Sequence, residues 1–419
     1  MAQGGVSQSI AAQAEWLRPE LENLTLSSSV LWKRLTVRSD IKAVSNRPSR
    51  IPFQVQTGGR PKVAGFDGQN LGRGSAPNEA PGSLSCVSFL LASEYTAMAE
   101  WSTDSSEKAI QNFVTLTHEQ AATNFGGFLD TLVCRGAGAN EIDSVVSTVT
   151  AGIVVNNADA FLDQQYIALT HAIGTAPFAT AQIKSIDIAN NTIWLTGAVP
   201  AGVTGGDIIL AEDSTGQANS GLFGLDAYLV SGNVGNYMGI SRAAYAGKFS
   251  TPTIDLGGAA LTPAIVRALQ MQQILALGID NDGKSLIAHC NVDVLAAWEN
   301  NALNVQSIIR NQVKGQESPD MLGNQYVTTI AGRTALPNVR AQFGILDLLD
   351  LSSWFLIQVR ANDLYEVGGQ TIFPAYGNDG GIASSLMFYL CVVVQAGCGQ
   401  PRKQARLSNI AIPANILAA

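Results

Sequence analysis

The chain has 419 residues, of which 46% are hydrophobic and only 14% charged, and its net charge is −8. This length suffices for two or three domains. A charged share below the usual level of roughly 25% indicates surface that is buried against other copies or lies in neutral loops. The five cysteines show no CxxC spacing, which argues against a disulfide framework or a zinc site. No GxSxG, Walker A or HExxH motif occurs, which argues against the enzyme classes that these motifs mark.

The charge is unevenly distributed along the chain. Residues 1–75 hold ten basic and five acidic residues, so the remaining 344 hold 15 basic and 28 acidic, which splits the net charge into +5 and −13. A basic arm on an acidic body predicts that the arm of one copy lies on the body of another. Contact with nucleic acid is the alternative. The candidate intersubunit contacts are basic residues of this region: Arg34, Arg38, Arg50, Arg60, Lys62 and Arg73.

The first part of the chain predicts an arm followed by an extended hairpin. Helical signals interrupted by Pro19 run through residues 6–35 and form no core of their own, so this arm must dock on something. Strands are predicted at 50–56 and 84–91, on either side of the glycine-rich stretch 57–82. Because a two-stranded ribbon is marginal alone in water, it is expected to lie across a neighbouring molecule. A disordered surface loop is the alternative.

The clearest helix signal lies within residues 93–134. Asp104 or Ser105 is the predicted N-cap, apolar residues then recur at three- and four-residue spacing, and Gly136 is the predicted stop. The pair Gly126–Gly127 predicts a bend or a close approach inside this helix.

The second half of the chain alternates between β-rich and mixed stretches. Residues 141–225 predict a compact β module with strands at 145–155, 183–188, 192–195 and 207–210. Farther on, helices are predicted at 261–277 and 293–303, and a loop at 334–340. Strands are predicted at 285–290, 325–330, 342–349, 354–359 and 386–394, and a basic segment, 401–406, precedes 410–412.

Histidine and cysteine side chains give only weak signals for chemistry. His289 and Cys290 could form a nucleophile pair, but adjacent strand residues point to opposite faces, so a buried thiol beside a satisfied histidine is the preferred interpretation. The stretch 280–283 faintly resembles a calcium loop, but Asn291 replaces the glutamate such a loop needs at position twelve. No secretion signal is visible at the N-terminus, so a soluble protein made in the cytoplasm is expected.

Several phrases of the sequence resemble a known family. The stretch 191–211 (NTIWLTGAVPAGVTGGDIILA) is similar to a strand–turn–strand phrase followed by Gly-Asp and another strand. Residues 221–226 (GLFGLD) look like a "GL.GLD" segment, and 237–242 (YMGISR) like a "YLGIDR" element. Residues 286–298 (LIAHCNVDVLAAW) resemble a strand-to-helix segment of that family. Residues 330–351 resemble a later segment of it, with Gly332, Pro337, Asp347 and Asp350 in matching positions. In this order, over about 350 residues, these phrases resemble the major capsid proteins of tailed bacteriophages, which have the Johnson fold.

The resemblance implies an α+β fold with five parts. They are an N-terminal arm (1–48), an extended β-hairpin loop (49–92), a peripheral domain with a long spine helix (93–140 and 380–419), a β-rich insertion (141–225) and an axial α/β domain (226–379). The insertion is larger than the minimal fold requires, so its place in the shell is open.

The implied function is a structural one without catalysis, cofactor or metal. Copies would assemble into hexamers and pentamers of an icosahedral shell that encloses double-stranded DNA without sequence-specific binding. Scaffolding, portal and decoration or cement proteins are the implied partners, the virion is the implied location, and assembly is expected in the host cytoplasm without a membrane. The alternatives are an encapsulin-like compartment holding cargo enzymes and a β-rich phage tail or adhesion protein. Lys62 on the hairpin could form a covalent cross-link with an Asn or Asp of a neighbouring copy, but a free, solvated lysine is the preferred interpretation.

Overall fold

The computed structural model describes most of the chain. The described residues are 29–38, 48–59, 74–98, 113–245, 247–277, 286–299, 329–330, 332–367, 370–376 and 382–412. The predictions for residues 1–28, for the hairpin tip 60–73 and for the helix start at 104–105 lie outside these ranges.

The described residues form 21 strands and a few helices. The strands are β1 Thr36–Val37, β2 Ser49–Gln56, β3 Asn78–Leu84, β4 Val87–Thr96, β5 Glu141–Val149, β6 Gly152–Val155, β7 Tyr166–Thr170, β8 Ala179–Asp187, β9 Thr192–Leu195, β10 Ile208–Ala211, β11 Asn236–Tyr237, β12 Ile240–Ser241, β13 Thr253–Asp255, β14 Leu286–Cys290, β15 Thr329–Ile330, β16 Arg333–Pro337, β17 Leu346–Asp350, β18 Trp354–Leu364, β19 Ile372–Tyr376, β20 Ile382–Cys398 and β21 Ala405–Ser408. The α-helices are α1 Phe113–Arg135, α2 Leu225–Tyr228 and α3 Pro263–Leu277, and residues 292–299 are also helical.

A five-stranded sheet is built around the long strand β20. β4 pairs antiparallel with one side of β20, and β18 and β19 pair antiparallel with the other. Side chains alternate across β4 and β20, so one face of the sheet packs on α1, with Phe89 against Phe128 at 6.1 Å between ring centroids. β1, in the arm, extends this sheet as a parallel neighbour of β18.

The hairpin has a different return strand from the predicted one. β2 pairs antiparallel with β3 over residues 49–56 and 78–84. The strand predicted at 84–91 was therefore wrong as the hairpin partner, because β4 pairs along its length with β20 instead. Among the described strands β4 pairs with β20 alone, and its residues alternate between buried and more exposed positions, as expected of a strand with one face on a core.

α1 ends as predicted and is preceded by a strand. The helix terminates at Arg135, and the backbone N–H of Gly136 donates to the carbonyl of Leu132 at 2.7 Å. Residues 93–96, which lie ahead of the predicted N-cap at Asp104 or Ser105, belong to β4.

Residues 141–211 form a closed six-stranded barrel in the order β10-β5-β6-β9-β8-β7. The stretch 145–155, predicted as one strand, is the hairpin β5–β6, and β7 was not predicted. Bulges in β5 and β8 help the sheet to close. The interior is filled by inward-facing branched side chains, among them Ile142, Val145, Ile153, Val155, Ile167, Leu169, Ile183, Ile193 and Ile209.

A six-stranded mixed sheet, ordered β13-β21-β17-β14-β16-β15, carries α3 and the helical residues 292–299. The segment 334–340, predicted as a loop, is a strand over residues 334–337, where β16 pairs parallel with β14. The expected boundary at residue 380 does not separate the sheets. β18 and β19 pair with β20 in the first sheet, whereas β21 lies in the second.

Candidate functional site

One buried carboxylate joins the arm, α1 and the β16–β17 region. Asp130 Oδ1 accepts hydrogen bonds from the backbone N–H groups of Leu31 at 2.8 Å and Trp32 at 2.6 Å. Its Oδ2 accepts one from Asn338 Nδ2 at 2.7 Å. Asp130 is fully buried, and hydrogen bonds to an ionised acceptor are stronger than neutral ones. Three segments far apart in sequence are therefore held at this one side chain.

His289 and Cys134 lie beside this carboxylate. Asn338 Nδ2 lies 3.4 Å from His289 Nε2 and, since an amide nitrogen only donates, Nε2 accepts and the imidazole is neutral. Burial lowers the pKa of His289 to about 4. Burial, with the charge of Asp130, raises the pKa of the Cys134 thiol well above its ordinary value, and its sulfur lies 3.7 Å from His289 Nε2. A neutral imidazole and a protonated thiol sealed from solvent form a structural contact.

Cys290 lies away from this cluster. Its neighbour His289 faces α1, whereas Cys290 packs with Leu346 and Ala405 in the apolar core of the six-stranded sheet. Burial raises the pKa of Cys290 to about 12. The interpretation that these adjacent strand residues point to opposite faces is confirmed.

Two buried arginines attach the barrel to the rest of the chain. Arg135, at the end of α1, donates from Nε to the Arg340 carbonyl at 3.1 Å and pairs with Asp143 of the barrel at 3.2 Å. Arg340 Nη1 donates to Thr131 Oγ1 at 3.2 Å and to the Asp159 carbonyl at 3.3 Å. The barrel is thus fixed to α1 through charged hydrogen bonds, which direct its orientation more than apolar packing alone would.

A second ionic centre forms where residues 221–226 (GLFGLD) approach β21. Arg406 on β21 makes two hydrogen bonds with Asp347, at 2.6 and 3.1 Å, and one with Asp226 at 2.5 Å. Burial alone would lower the pKa of Arg406, but the two carboxylates outweigh it and raise that pKa above its ordinary value. Asp226, which sequence analysis singled out only as part of a phrase, therefore ties α2 to the second sheet.

The base of the hairpin packs against its own chain. Phe53 on β2 contacts the rings of Tyr237 and Phe249, with centroids 5.8 and 5.7 Å apart, and the N–H of Ser83 on β3 donates to the Met238 carbonyl at 2.8 Å. The hydroxyl of Tyr237 in turn donates to the Cys398 carbonyl. Residues 237–242 (YMGISR) therefore contact the base of the hairpin through Tyr237 and Met238.

The predicted basic contact residues lie on separate elements. Arg34 and Arg50 are exposed, the first at the end of a 3-10 helix and the second on β2. The Arg38 guanidinium lies 5.0 Å from the Phe355 ring centroid of its own chain. Arg60, Lys62 and Arg73 lie outside the described residues. A role for these six residues between subunits stays a prediction.

The helix α3 exposes an apolar face that sequence analysis missed. Val266 and Leu269 are buried against the second sheet, whereas Met271, Ile274 and Leu275 are exposed, and Leu275 has 82% of its surface in contact with solvent. The signal was present, since Ala264, Ala268, Met271 and Leu275 recur at spacings of four, three and four. A helix that is apolar on both faces needs a second partner.

A groove of about 350 Å³ runs beside this face. It is lined by Gly247, Ser250, Thr251, Pro252, Gln272, Leu275 and Arg402. Within the described ranges, no three His, Cys, Asp or Glu side chains converge on a point where they could hold a metal ion. Nor is any helix of those ranges long and apolar enough to cross a membrane.

No protein-family model matches this chain, and no curated protein matches its sequence. Among solved structures, it is similar to the capsid asymmetric unit of Cyanophage A-1(L), with a TM-score of 0.58 and 13% identity over 95% of this chain and 97% of that one. The capsid of an empty GTA particle matches at a TM-score of 0.46 and 11% identity, over 96% and 99% of the two chains. The holo-SrpI encapsulin complex of Synechococcus elongatus PCC 7942 matches at 0.44 and 9%, over 98% and 97%.

The likeness to the cyanophage capsid chain concerns the fold. It extends over nearly the full length of both chains, so it includes both sheets and the barrel region rather than one shared motif. The chain has the Johnson fold of tailed-phage capsid proteins, and the α+β fold class expected from the sequence is confirmed.

Proposed function

We propose that this chain is the major capsid subunit of a tailed bacteriophage, which assembles into hexamers and pentamers of an icosahedral shell around double-stranded DNA. The observation that carries the proposal is the end-to-end fold match with the capsid chain of Cyanophage A-1(L). Because one fold can host several functions, the proposal needs support from surfaces of this chain as well.

The exposed face of α3 supports assembly through the second sheet and its helices. Met271, Ile274 and Leu275 form an apolar surface on an element whose other face is already buried. In a ring of five or six copies each interface joins two different patches, so this face meets another part of the neighbouring copy. A core-like contact of this kind fits the low charged share of the chain.

The buried polar centres support a structural rather than an enzymatic role. Asp130, Cys134 and His289 are potentially reactive groups that lie together, and each is at most 2% exposed. Their hydrogen bonds connect the arm, α1 and the β16–β17 region, so they act on the geometry of the subunit. This supports a structural subunit, in which these side chains fix the arrangement of three segments and turn over no substrate.

The acidic body supports enclosure of DNA without tight binding. The residues after position 75 carry a net charge of −13, and such a wall repels the phosphate backbone instead of holding it. Scaffolding, portal and decoration or cement proteins are the partners that this assembly calls for, and the host cytoplasm is where we propose that it takes place.

The proposal is tested by expressing the chain alone in bacteria and examining it by negative-stain electron microscopy and analytical ultracentrifugation. Closed shells, or rings of five and six, are expected. A uniform monomer or a small elongated trimer, unchanged by concentration, would contradict the proposal and favour a tail or adhesion protein. Purification of native particles then separates the two kinds of shell: nuclease-protected DNA is expected, whereas an enzyme cargo without DNA would identify a cargo compartment.

A further inference from the structure

The barrel has a near end, attached to the body, and a far end. At the near end β5 begins directly after α1, and Asn157 Nδ2 donates to the Val339 carbonyl at 2.7 Å. The far end consists of the β5–β6 hairpin, the β7–β8 loop and the β9–β10 loop, which we define as residues 146–152, 171–179 and 194–206. These three segments meet, since the Leu195 N–H donates to the Ala151 carbonyl at 2.9 Å and a Cβ on Gly202 would lie 3.9 Å from the Phe178 ring.

The far end carries no formally charged residue. Its three segments contain no Lys, Arg, Asp or Glu. The charged residues of the barrel lie elsewhere on it: Glu141, Asp143, Asp159, Asp163, Lys184, Asp187 and Asp207. Asp207, which borders the far end, is buried and paired with His171 at 2.8 Å. The barrel is acidic overall, yet this end is neutral.

The same end exposes large apolar side chains. Val146, Val149, Ile173, Phe178 and Trp194 are all exposed there. A neutral surface with several exposed branched and aromatic side chains is typical of an interaction site rather than of a solvated rim. Scattered single residues would need no such explanation, but these five share one end of one small barrel.

This surface is held in a fixed shape before any partner arrives. The His171 ring stacks on Phe178, with centroids 4.3 Å apart and an angle of 10° between the planes. His171 is anchored by Asp207, whose carboxylate also accepts hydrogen bonds from the backbone N–H and the hydroxyl of Thr204. The Gly174 N–H donates to the Gly216 carbonyl at 2.8 Å, which fastens the β7–β8 loop. A preorganised surface loses little conformational entropy on binding.

We propose that the far end of the barrel docks against the far end of the barrel of a second copy of this chain. Two identical surfaces meet face to face at the lowest electrostatic cost where they carry no like charge, and the far end meets this condition, whereas the near end carries Asp163 and Asp187. The inference rests on the proposed function, because a shell holds many copies at fixed spacing and so lets a small apolar contact add up. The barrel then acts as a clasp between copies.

The test uses the full chain assembled into particles. Ile173→Cys and Val149→Cys each place one thiol on the far end, and Ile188→Cys places one at the near end, where the native side chain is 50% exposed. Short bis-maleimide reagents and a denaturing gel then report which thiols of different copies lie close together. The wild-type chain is the background control, since its five cysteines are buried or half-buried.

The far-end variants are expected to give covalent dimers in assembled particles, and the Ile188→Cys variant is expected to stay monomeric on the gel. Phe178→Asp is expected to lower the temperature at which the shells disassemble, while Ile188→Asp leaves that temperature unchanged. If particles form but neither far-end variant cross-links, or the near-end variant cross-links equally well, the inference is wrong and the proposed function stands. If the wild-type chain forms no particles, both fail.

Discussion

Gly127 on α1 lies directly against the guanidinium of Arg340. A Cβ at Gly127 would come within 2.7 Å of Arg340 Nη2 and 2.9 Å of Cζ. Arg340 is 1% exposed and hydrogen-bonded to Thr131 and Asp159, so it has little room to move away. The glycine is therefore required by the contact between the helix and the segment after β16, and the two adjacent glycines of α1 have different roles.

This contact predicts opposite effects of two neighbouring substitutions. Gly127→Ala is expected to lower the free energy of unfolding by about 1–3 kcal/mol, because the methyl group displaces a buried guanidinium. Gly126→Ala is the matched control, since its Cβ would lie 3.6 Å from the nearest side-chain atom. Because alanine favours a helix over glycine, it is expected to raise stability by about 0.5–1 kcal/mol. Chemical denaturation measures both, and equal effects of the two substitutions would contradict the assigned contact.

Asp130 predicts a specific effect on the arm. Asp130→Asn turns one of the two acceptor oxygens into a donor, which leaves either the N–H groups of the arm or the Asn338 amide without an acceptor, so the docking of the arm is expected to weaken by about 1–3 kcal/mol. Lys33 and Arg34 lie in the docked arm, and trypsin cleavage there is expected to become faster than in the wild type. Asp163→Asn, at an exposed position of the barrel, is the control and is expected to leave the cleavage rate unchanged. Unaltered cleavage of the Asp130 variant would show that other contacts hold the arm.

The buried imidazole predicts a loss of stability in acid. The pKa of His289 is lowered from 6.5 to about 4 by burial. Above pH 6.5 neither the folded nor the unfolded form binds the proton. Between pH 6.5 and 4 the unfolded chain binds it and the folded chain does not, so stability falls with pH, by about 3 kcal/mol in total.

His289→Asn is expected to remove this part of the pH dependence. The measurement is the free energy of unfolding of both chains at pH 7.5 and pH 5, where the difference between the two curves isolates the histidine from carboxyl groups that titrate in the same range. If the variant loses as much stability as the wild type between these two pH values, the neutral buried imidazole is not the cause.

The exposed face of α3 predicts a separation of folding from assembly. Leu275→Glu is expected to abolish rings and shells while it leaves the unfolding transition of the single chain unchanged, because the side chain is 82% exposed there. Ile188→Glu introduces the same charge on the barrel, at a residue that is 50% exposed, and is expected to assemble normally. Sedimentation and electron microscopy read out assembly. Normal shells from the α3 variant would place the ring contact elsewhere.

Sequence reasoning predicted the parts that local patterns determine. The apolar spacing and the glycine stop gave the end of α1, and Pro263 and the apolar spacing gave α3, because helix signals are local. The alternation rule placed His289 and Cys290 on opposite faces. The fold class followed from the order of several phrases along the chain.

The features that sequence reasoning missed depend on contacts between distant residues. Whether β4 would pair with β2 or with β20 is a choice between two partners, and no local pattern in β4 decides it. Barrel closure likewise requires β7 to meet β10, although the short run of β7 gave too weak a signal to be predicted as a strand. The hydrogen bonds of Asp130 join residues about a hundred and two hundred positions apart, and no spacing within one segment points to them.

The two ends of the barrel segment lie side by side. Leu210 on the last strand pairs with Glu141 on the first, and the Ala211 N–H donates to the Asn140 carbonyl at 3.0 Å. For the body of the subunit, the whole barrel therefore leaves and returns through one narrow gap between α1 and the segment that leads to α2. A gene could gain, lose or replace such a unit in a single step without moving the strands on either side. The barrel is therefore a separable unit, whose strands can change without redirecting the chain on either side of it.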